Sequence, residues 1–263
     1  MDTRVAVDFL DHVAHVRLVR PERLNAIDVV LLEQLVETGD RVAGLPGLRA
    51  IVLSGEGRGF CSGIDTSTLA IKPGEKFPID IATPIRGAAN LAQYAVTQWR
   101  DAPVPVIAAI HGFAFGGGFQ LPLATDMRIV HPDTKLSLME LKWGLIPDMG
   151  GMALLKPMLR PDVLADLLYT ARVFDGREAL AIGIATRLAE DPVKAALDMA
   201  REIAGRSPDA VRAAKRLMRI GNDELDGRIL RAEAREQLAM FASANHAEAV
   251  AAGMAKRAPD FRD

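Results

Sequence analysis

His111-Gly-Phe-Ala-Phe-Gly-Gly-Gly-Phe-Gln120 is the stretch on which the fold turns. It follows an apolar segment, Pro105–Ile110, that reads as a buried parallel strand, and its glycine triplet opens a helix expected to run through Leu123. Glycines there allow close backbone approach, and a helix start leaves N–H groups without intrahelical partners. A second glycine-rich turn, Gly55-Glu-Gly-Arg-Gly-Phe-Cys-Ser-Gly-Ile-Asp65, follows another buried strand, Ala50–Ser54. Either turn alone is equally well a tight connection. Together, at the C-terminal ends of two strands, they mark the place where α/β sheets bind ligands.

Neither turn is a phosphate loop. Gly118 is followed by Phe119-Gln120 where a Walker loop needs Lys-Ser/Thr, and Gly57-Arg-Gly-Phe-Cys-Ser62 ends in serine where a dinucleotide fingerprint needs glycine. Gly59-Phe-Cys-Ser-Gly63 matches a nucleophile elbow with Cys61 as nucleophile, to be activated by His111, His131 or His246. The competing reading of Cys61 is a small buried residue in a turn.

Outward from these turns, Arg4–Phe9 and Val13–Val19 alternate as a strand pair, and Asp28 caps a helix over Val29–Val42. Lys72–Pro84 reads as a loop, Gly87–Arg100 as a helix and Met127–Val130 as a strand. After residue 190 only helices are expected, over Val193–Gly205, Asp209–Ile220, Glu224–Phe241 and Ala247–Ala255. The fold class is therefore α/β with a helical C-terminal part, which packs on another subunit or folds back on its own core. Across 263 residues, 49% are hydrophobic and 32 basic residues face 34 acidic ones, which disfavours disorder and nucleic acid as a partner. A single cysteine excludes an intrachain disulfide, and neither a signal peptide nor a membrane span is read, so a cytoplasmic protein without membrane attachment is expected. No Cys cluster or HExxH motif is present, and His12 and His15 are placed on opposite faces of a strand, so no metal site is expected.

Two carboxyls stand among apolar residues in Leu138-Met-Glu-Leu-Lys-Trp-Gly-Leu-Ile-Pro-Asp-Met-Gly-Gly151. Gly144 and Pro147 bend the chain between Glu140 and Asp148, which can bring both into one pocket and raise both by desolvation. The structural alternatives are Glu140 paired with Lys142, and Asp148 as N-cap of a helix Met149–Met158.

These segments in order resemble the enoyl-CoA hydratase/isomerase (crotonase) superfamily. Arg20-Pro-Glu-Arg-Leu-Asn-Ala26 is similar to its R-P-x-x-x-N-A segment, Phe60–Asp65 to F-x-x-G-x-D, His111–Gly118 to N-G-x-x-x-G-G-G with histidine for asparagine, and Glu140–Gly151 to E-x-x-x-G-x-x-P-x-x-G-G. The resemblance implies a spiral of ββα repeats (residues 1–200) and a helical region (201–263) that builds a homotrimer or homohexamer. It also implies an acyl-CoA thioester substrate with no separate cofactor. The implied oxyanion hole is the N–H groups of Ile64 and Gly117. The implied CoA and substrate contacts are Arg23, Leu24, Ala26, Ser62, Asp65, Thr66 and Lys256.

One departure bears on the reaction. Hydratases of the family carry a second glutamate where this chain has Gln120, and an amide cannot exchange a proton at neutral pH. Asp148 stands where the family's dienoyl-CoA isomerases carry an acid. The resemblance therefore implies double-bond isomerisation by Glu140 and Asp148. The alternatives are a hydratase in which Gln120 positions water and Glu140 moves every proton, a non-catalytic acyl-CoA-binding protein, and the Cys61 hydrolase.

Overall fold

The computed structural model describes residues 3–68, 78–219 and 223–261. The chain begins with β1 (Val5–Leu10), β2 (Val13–Leu18), α1 (Val29–Ala43), β3 (Ala50–Gly55), α2 (Leu91–Asp101), β4 (Val106–Ile110), β5 (Phe113–Phe115) and α3 (Gly117–Gln120). It continues through β6 (Met127–Val130), β7 (Lys135–Ser137), α4 (Gly151–Leu155), α5 (Pro161–Thr170), β8 (Phe174–Asp175), α6 (Gly176–Ala181) and β9 (Arg187–Leu188). The helices α7 (Pro192–Ala204), α8 (Pro208–Arg219), α9 (Asp223–Phe241) and α10 (Ala244–Ala255) complete it.

The strands divide between two sheets, ordered β1-β2-β3-β4-β6-β9 and β5-β7-β8. Successive turns of the chain feed one strand to each sheet, β4 then β5, β6 then β7. β1 and β2 pair antiparallel, whereas β2-β3-β4-β6-β9 run parallel. The spiral expected from the resemblance is thus present.

Parallel strands are buried on both faces, and the period-2 geometry sorts their side chains between two cores. Ile51, Leu53, Val106, Ala108 and Ile110 enter the main core with Leu31, Leu32 and Leu35 of α1. Ala50, Val52, Ile107 and Ala109 face the other way, against Ala196, Met199, Ala200 and Ala204 of α7. Alanines on both sides let this helix lie close on the sheet. Residue 200 therefore lies inside a helix that covers the sheet, not at its edge.

Asp28 caps α1 as expected, its Oδ1 accepting the Leu31 N–H at 2.9 Å. Four local readings need correction. α2 starts at Leu91 rather than Gly87, because Asn90 and Gln93 form a reciprocal capping box there. The turn after β4 contains the strand β5, held by β7, and neither short strand carries a local period long enough to read. His12 sits in the β1–β2 turn at φ 67°, not on a strand. The helix after Asp148 begins at Gly151 with Gly150 in the cap position, so Asp148 does not cap it. The expected loop Lys72–Pro84 lies outside the described residues as far as residue 77; Ile79 and Ile81 beyond it are buried. Ile220, the expected end of a helix, also lies outside them. Among the described residues no helix is long and apolar enough to cross a membrane.

Candidate active site

The two glycine-rich turns are knitted together. Phe60 N donates to His111 O at 3.0 Å, and Phe115 N to Cys61 O at 3.1 Å. A Cβ on Gly118 would stand 2.5 Å from Cys61 O, so only glycine permits this contact. Gly63, at φ 89°, adopts a left-handed conformation that brings it against Phe115 O and the Gly117 N–H. Asn25, fully buried, pins the first turn by donating to Glu56 O, Gly59 O and Phe60 O at 2.9, 3.1 and 3.0 Å.

Ile64 bridges to Ile27 as a parallel pair, with Ile27 N donating to Gly63 O and Asp65 N to Ile27 O. In such a pair the bonds run through the flanking residues, so the N–H of Ile64 points to the opposite side. Ile64 and Gly117 both line a cavity of about 150 Å³. Its walls are apolar, including Ile27, Ile79, Ile81, Trp143, Met149 and Phe241, and its polar members include Ser62, Thr66, Gln120, Glu140, Asp148 and Gln237.

Glu140 opens a 3-10 turn, Glu140–Trp143, and is buried. Its Oε1 accepts from Gln120 Nε2 at 2.6 Å, while Oε2 has no hydrogen-bond partner among the described residues. Burial pushes its carboxyl up to about 7, against the Gln120 bond and with the Asp148 charge adding to the rise. Asp148 keeps partial exposure to the cavity, and burial likewise lifts it to about 7, with its own backbone N–H and then the Gln237 amide acting against the rise. Both carboxyls rise as expected. Desolvation dominates at each.

Gln120 is committed at its oxygen. Its Oε1 accepts the N–H groups of Met149 and Gly151, each at 3.0 Å, and its Nε2 serves Glu140. One Nε2 hydrogen remains beyond the bond to Glu140, so the amide orients Glu140 and keeps one further donor at the cavity it lines. Glu140 pairs with this amide rather than with Lys142, which is exposed.

The Cys61 reading is overturned. The thiol is fully buried, donates to Asn25 O at 3.0 Å and is pushed by burial up to about 12, so no thiolate forms near neutral pH. Two of its expected activators are engaged elsewhere, His111 Nε2 with Gly57 O and His246 Nδ1 with Trp143 O.

The other expected contacts divide. Ser62 and Thr66 line the cavity. Asp65 lies behind it: burial raises its carboxyl, but hydrogen bonds from Ser67 and the charges of Arg23 and Arg20 hold it below the usual range. Arg23 is exposed on the rim of this cluster, Leu24 is half-buried and Ala26 buried. Lys256 is exposed at the C-cap of α10, outside the cavity wall. Two residues went unread in the sequence, Glu233 and Gln237 of α9. Glu233 accepts from Gly150 N, Met152 N and Ala153 N, and Gln237 Oε1 from Ile146 N. A Glu and a Gln four apart on an alanine-rich helix are commonplace, and nothing local marks them.

The family description "Enoyl-CoA hydratase/isomerase" matches residues 8–263. A carnitinyl-CoA dehydratase of Proteus mirabilis is 38% identical over 210 residues, covering 79% of this chain and 77% of that protein. The mitochondrial Delta(3,5)-Delta(2,4)-dienoyl-CoA isomerase of Mus musculus is 32% identical over 253 residues, covering 94% and 77%. The crystal structure of an enoyl-CoA hydratase from Mycobacterium avium superposes with a TM-score of 0.83 at 28% identity, covering 98% of this chain and 99% of that one. The chain is a crotonase-fold enzyme and belongs to the enoyl-CoA hydratase/isomerase family.

Proposed function

We propose that this enzyme moves double bonds along unsaturated acyl-CoA thioesters. The thioester oxygen sits between the N–H groups of Ile64 and Gly117, where an enolate is stabilised more than the neutral thioester. Ionised Glu140 takes a proton from the carbon beside the thioester carbonyl, and the electron pair passes into the enolate. Protonated Asp148 then gives its proton to a carbon further along the chain. The double bonds shift, no atom is gained or lost, and exchange with solvent returns the proton from Glu140 to Asp148 before the next turnover. Burial to about 7 at both carboxyls suits this exchange, since near neutral pH one can be charged while the other holds a proton. The apolar cavity takes the acyl chain. The CoA portion lies along Arg23, Leu24 and Ala26, with Ser62 and Thr66 beside the thioester, Asp65 holding Arg23 from behind, and Lys256 near the phosphates.

The observation that carries this reading is the pair of carboxyls in one cavity with an amide, Gln120, in place of a second glutamate. The similarity to a dehydratase favours a second reading, addition or loss of water through Glu140 alone. A panel of unsaturated acyl-CoA esters incubated in D2O separates them. Migration of unsaturation with deuterium uptake is expected, and a 3-hydroxy product in its place overturns isomerisation. Glu140→Gln should lower kcat about 10²-fold or more with CoA-ester binding nearly unchanged. The assembly belongs to the same proposal: α8 leaves Leu217 and Met218 at 69% and 77% exposure, and the mass in solution should be a multiple of three protomers.

A further inference from the structure

α9 reaches back over the site and grips the segment that carries Asp148. Glu233 and Gln237, one helical turn apart, are each 3% exposed. Glu233 takes the Gly150 N–H at 2.9 Å and the Met152 N–H at 3.0 Å, and Gln93 Nε2 at 3.3 Å ties it to α2. Gln237 Oε1 takes the Ile146 N–H at 3.0 Å. Asp148 is thus bracketed in the chain by two residues of one helix.

The Ile146 bond also fixes which way the Gln237 amide faces. With Oε1 committed to an N–H donor, the NH2 group is what remains to face the cavity that Gln237 shares with Asp148, and this amide acts against the rise of the Asp148 carboxyl. An NH2 group only donates, so it favours the carboxylate over the acid. The charged groups facing Asp148 act the other way: Glu140 from the 3-10 turn and Glu233 from α9 are both carboxyls. Gln237 lines the same cavity as Asp148 and, after the Asp148 backbone N–H, is the side chain that opposes them.

We propose that Gln237 is a positioning residue for Asp148, aiming its carboxyl into the cavity, so that the docking of α9 governs the second proton carrier. This rests on the isomerase reading for its consequence, though not for its test. The test is the titration of Asp148 itself, followed by NMR of 13C-carboxyl-labelled aspartate and assigned with Asp148→Asn. Gln237→Met, similar in length and without hydrogen bonds, should move that titration up by about one pH unit or more. Gln237→Glu keeps an acceptor for Ile146 N–H and replaces the donor with a like charge, so the upward shift should be larger. The pH profile of kcat should move in the same direction while KM changes little. An Asp148 titration unchanged in the folded variants overturns the proposal, and should Gln237→Met fail to fold, Gln237→Glu decides alone. Because the titration is read without turnover, the two claims fail separately. A shifted Asp148 in a protein that isomerises nothing overturns the isomerase reading and leaves the positioning role standing. An unshifted Asp148 in an active isomerase does the reverse.

Discussion

At the scale of single residues, the amide of Gln120 joins the two halves of the site. It holds Glu140 from one end and the backbone of Met149 and Gly151 from the other. Gln120→Glu is nearly isosteric and keeps an acceptor for both N–H groups, so the fold should be retained. The new carboxyl would stand where Nε2 is, 2.6 Å from Glu140 Oε1, and two carboxyls at that distance must share a proton. The variant should therefore gain the proton-exchanging group that water addition needs. Hydration of a short enoyl-CoA, followed by loss of the conjugated thioester absorbance, is expected to rise by about tenfold or more over the wild type. The wild type proving already an efficient hydratase, with no gain in the variant, would contradict this account of Gln120.

At the scale of elements, α4 explains why Asp148 is free for chemistry. A helix start leaves several N–H groups unsatisfied, and the usual remedy is a local side chain such as Asp148. Here Gln120 serves Met149 and Gly151, and Glu233 serves Gly150, Met152 and Ala153, so no donor is left for Asp148 to cap. Glu233→Ala would strand at least two well-formed N–H groups, one buried and one half-buried, and should cost about 2–4 kcal/mol in urea denaturation. Glu233→Gln keeps one acceptor oxygen and sheds a buried carboxyl that burial lifts to about 8, so its cost should be markedly smaller. Equal losses in the two variants would show that packing, not hydrogen bonding, is what Glu233 contributes.

At the scale of the whole molecule, the site carries a stability cost that two cores offset. Glu140, Asp148 and Glu233 all titrate higher in the fold than in an unfolded chain. Between about pH 4 and pH 8 the unfolded chain releases these protons first, so the folded state binds more of them and loses stability as pH rises. For a raised carboxyl the favourable contribution is complete below the unfolded value and gone above the folded one. Glu140→Gln removes one such group. At pH 8 it should be more stable than the wild type by up to about 3 kcal/mol, the gap closing by pH 4.5. Parallel urea titrations across that range check it, and a gap that stays constant with pH would mean that Glu140 does not titrate as its burial dictates. A more stable, less active variant is the usual consequence of relieving a strained site.

Much of this molecule was legible because its signals are short-ranged. Strand alternation, the Asp28 cap and the glycine turns are set by neighbours a few residues away. The order of four motifs along the chain then pointed to the spiral and to Glu140 and Asp148 in one pocket. What the sequence did not determine was the partner of each polar side chain. Asp148 has a sound local capping pattern, yet the donors it would cap go to residues 29 and 83 positions distant. Cys61 sits in an elbow-like sequence, yet burial and the Asn25 carbonyl 36 positions away make it inert. Glu233 and Gln237 have no local signature at all and acquire their roles when α9 folds back on its own chain. Local pattern sets where the backbone turns; which donor meets which acceptor, and how far water is excluded from a carboxyl, arise only when distant segments pack together.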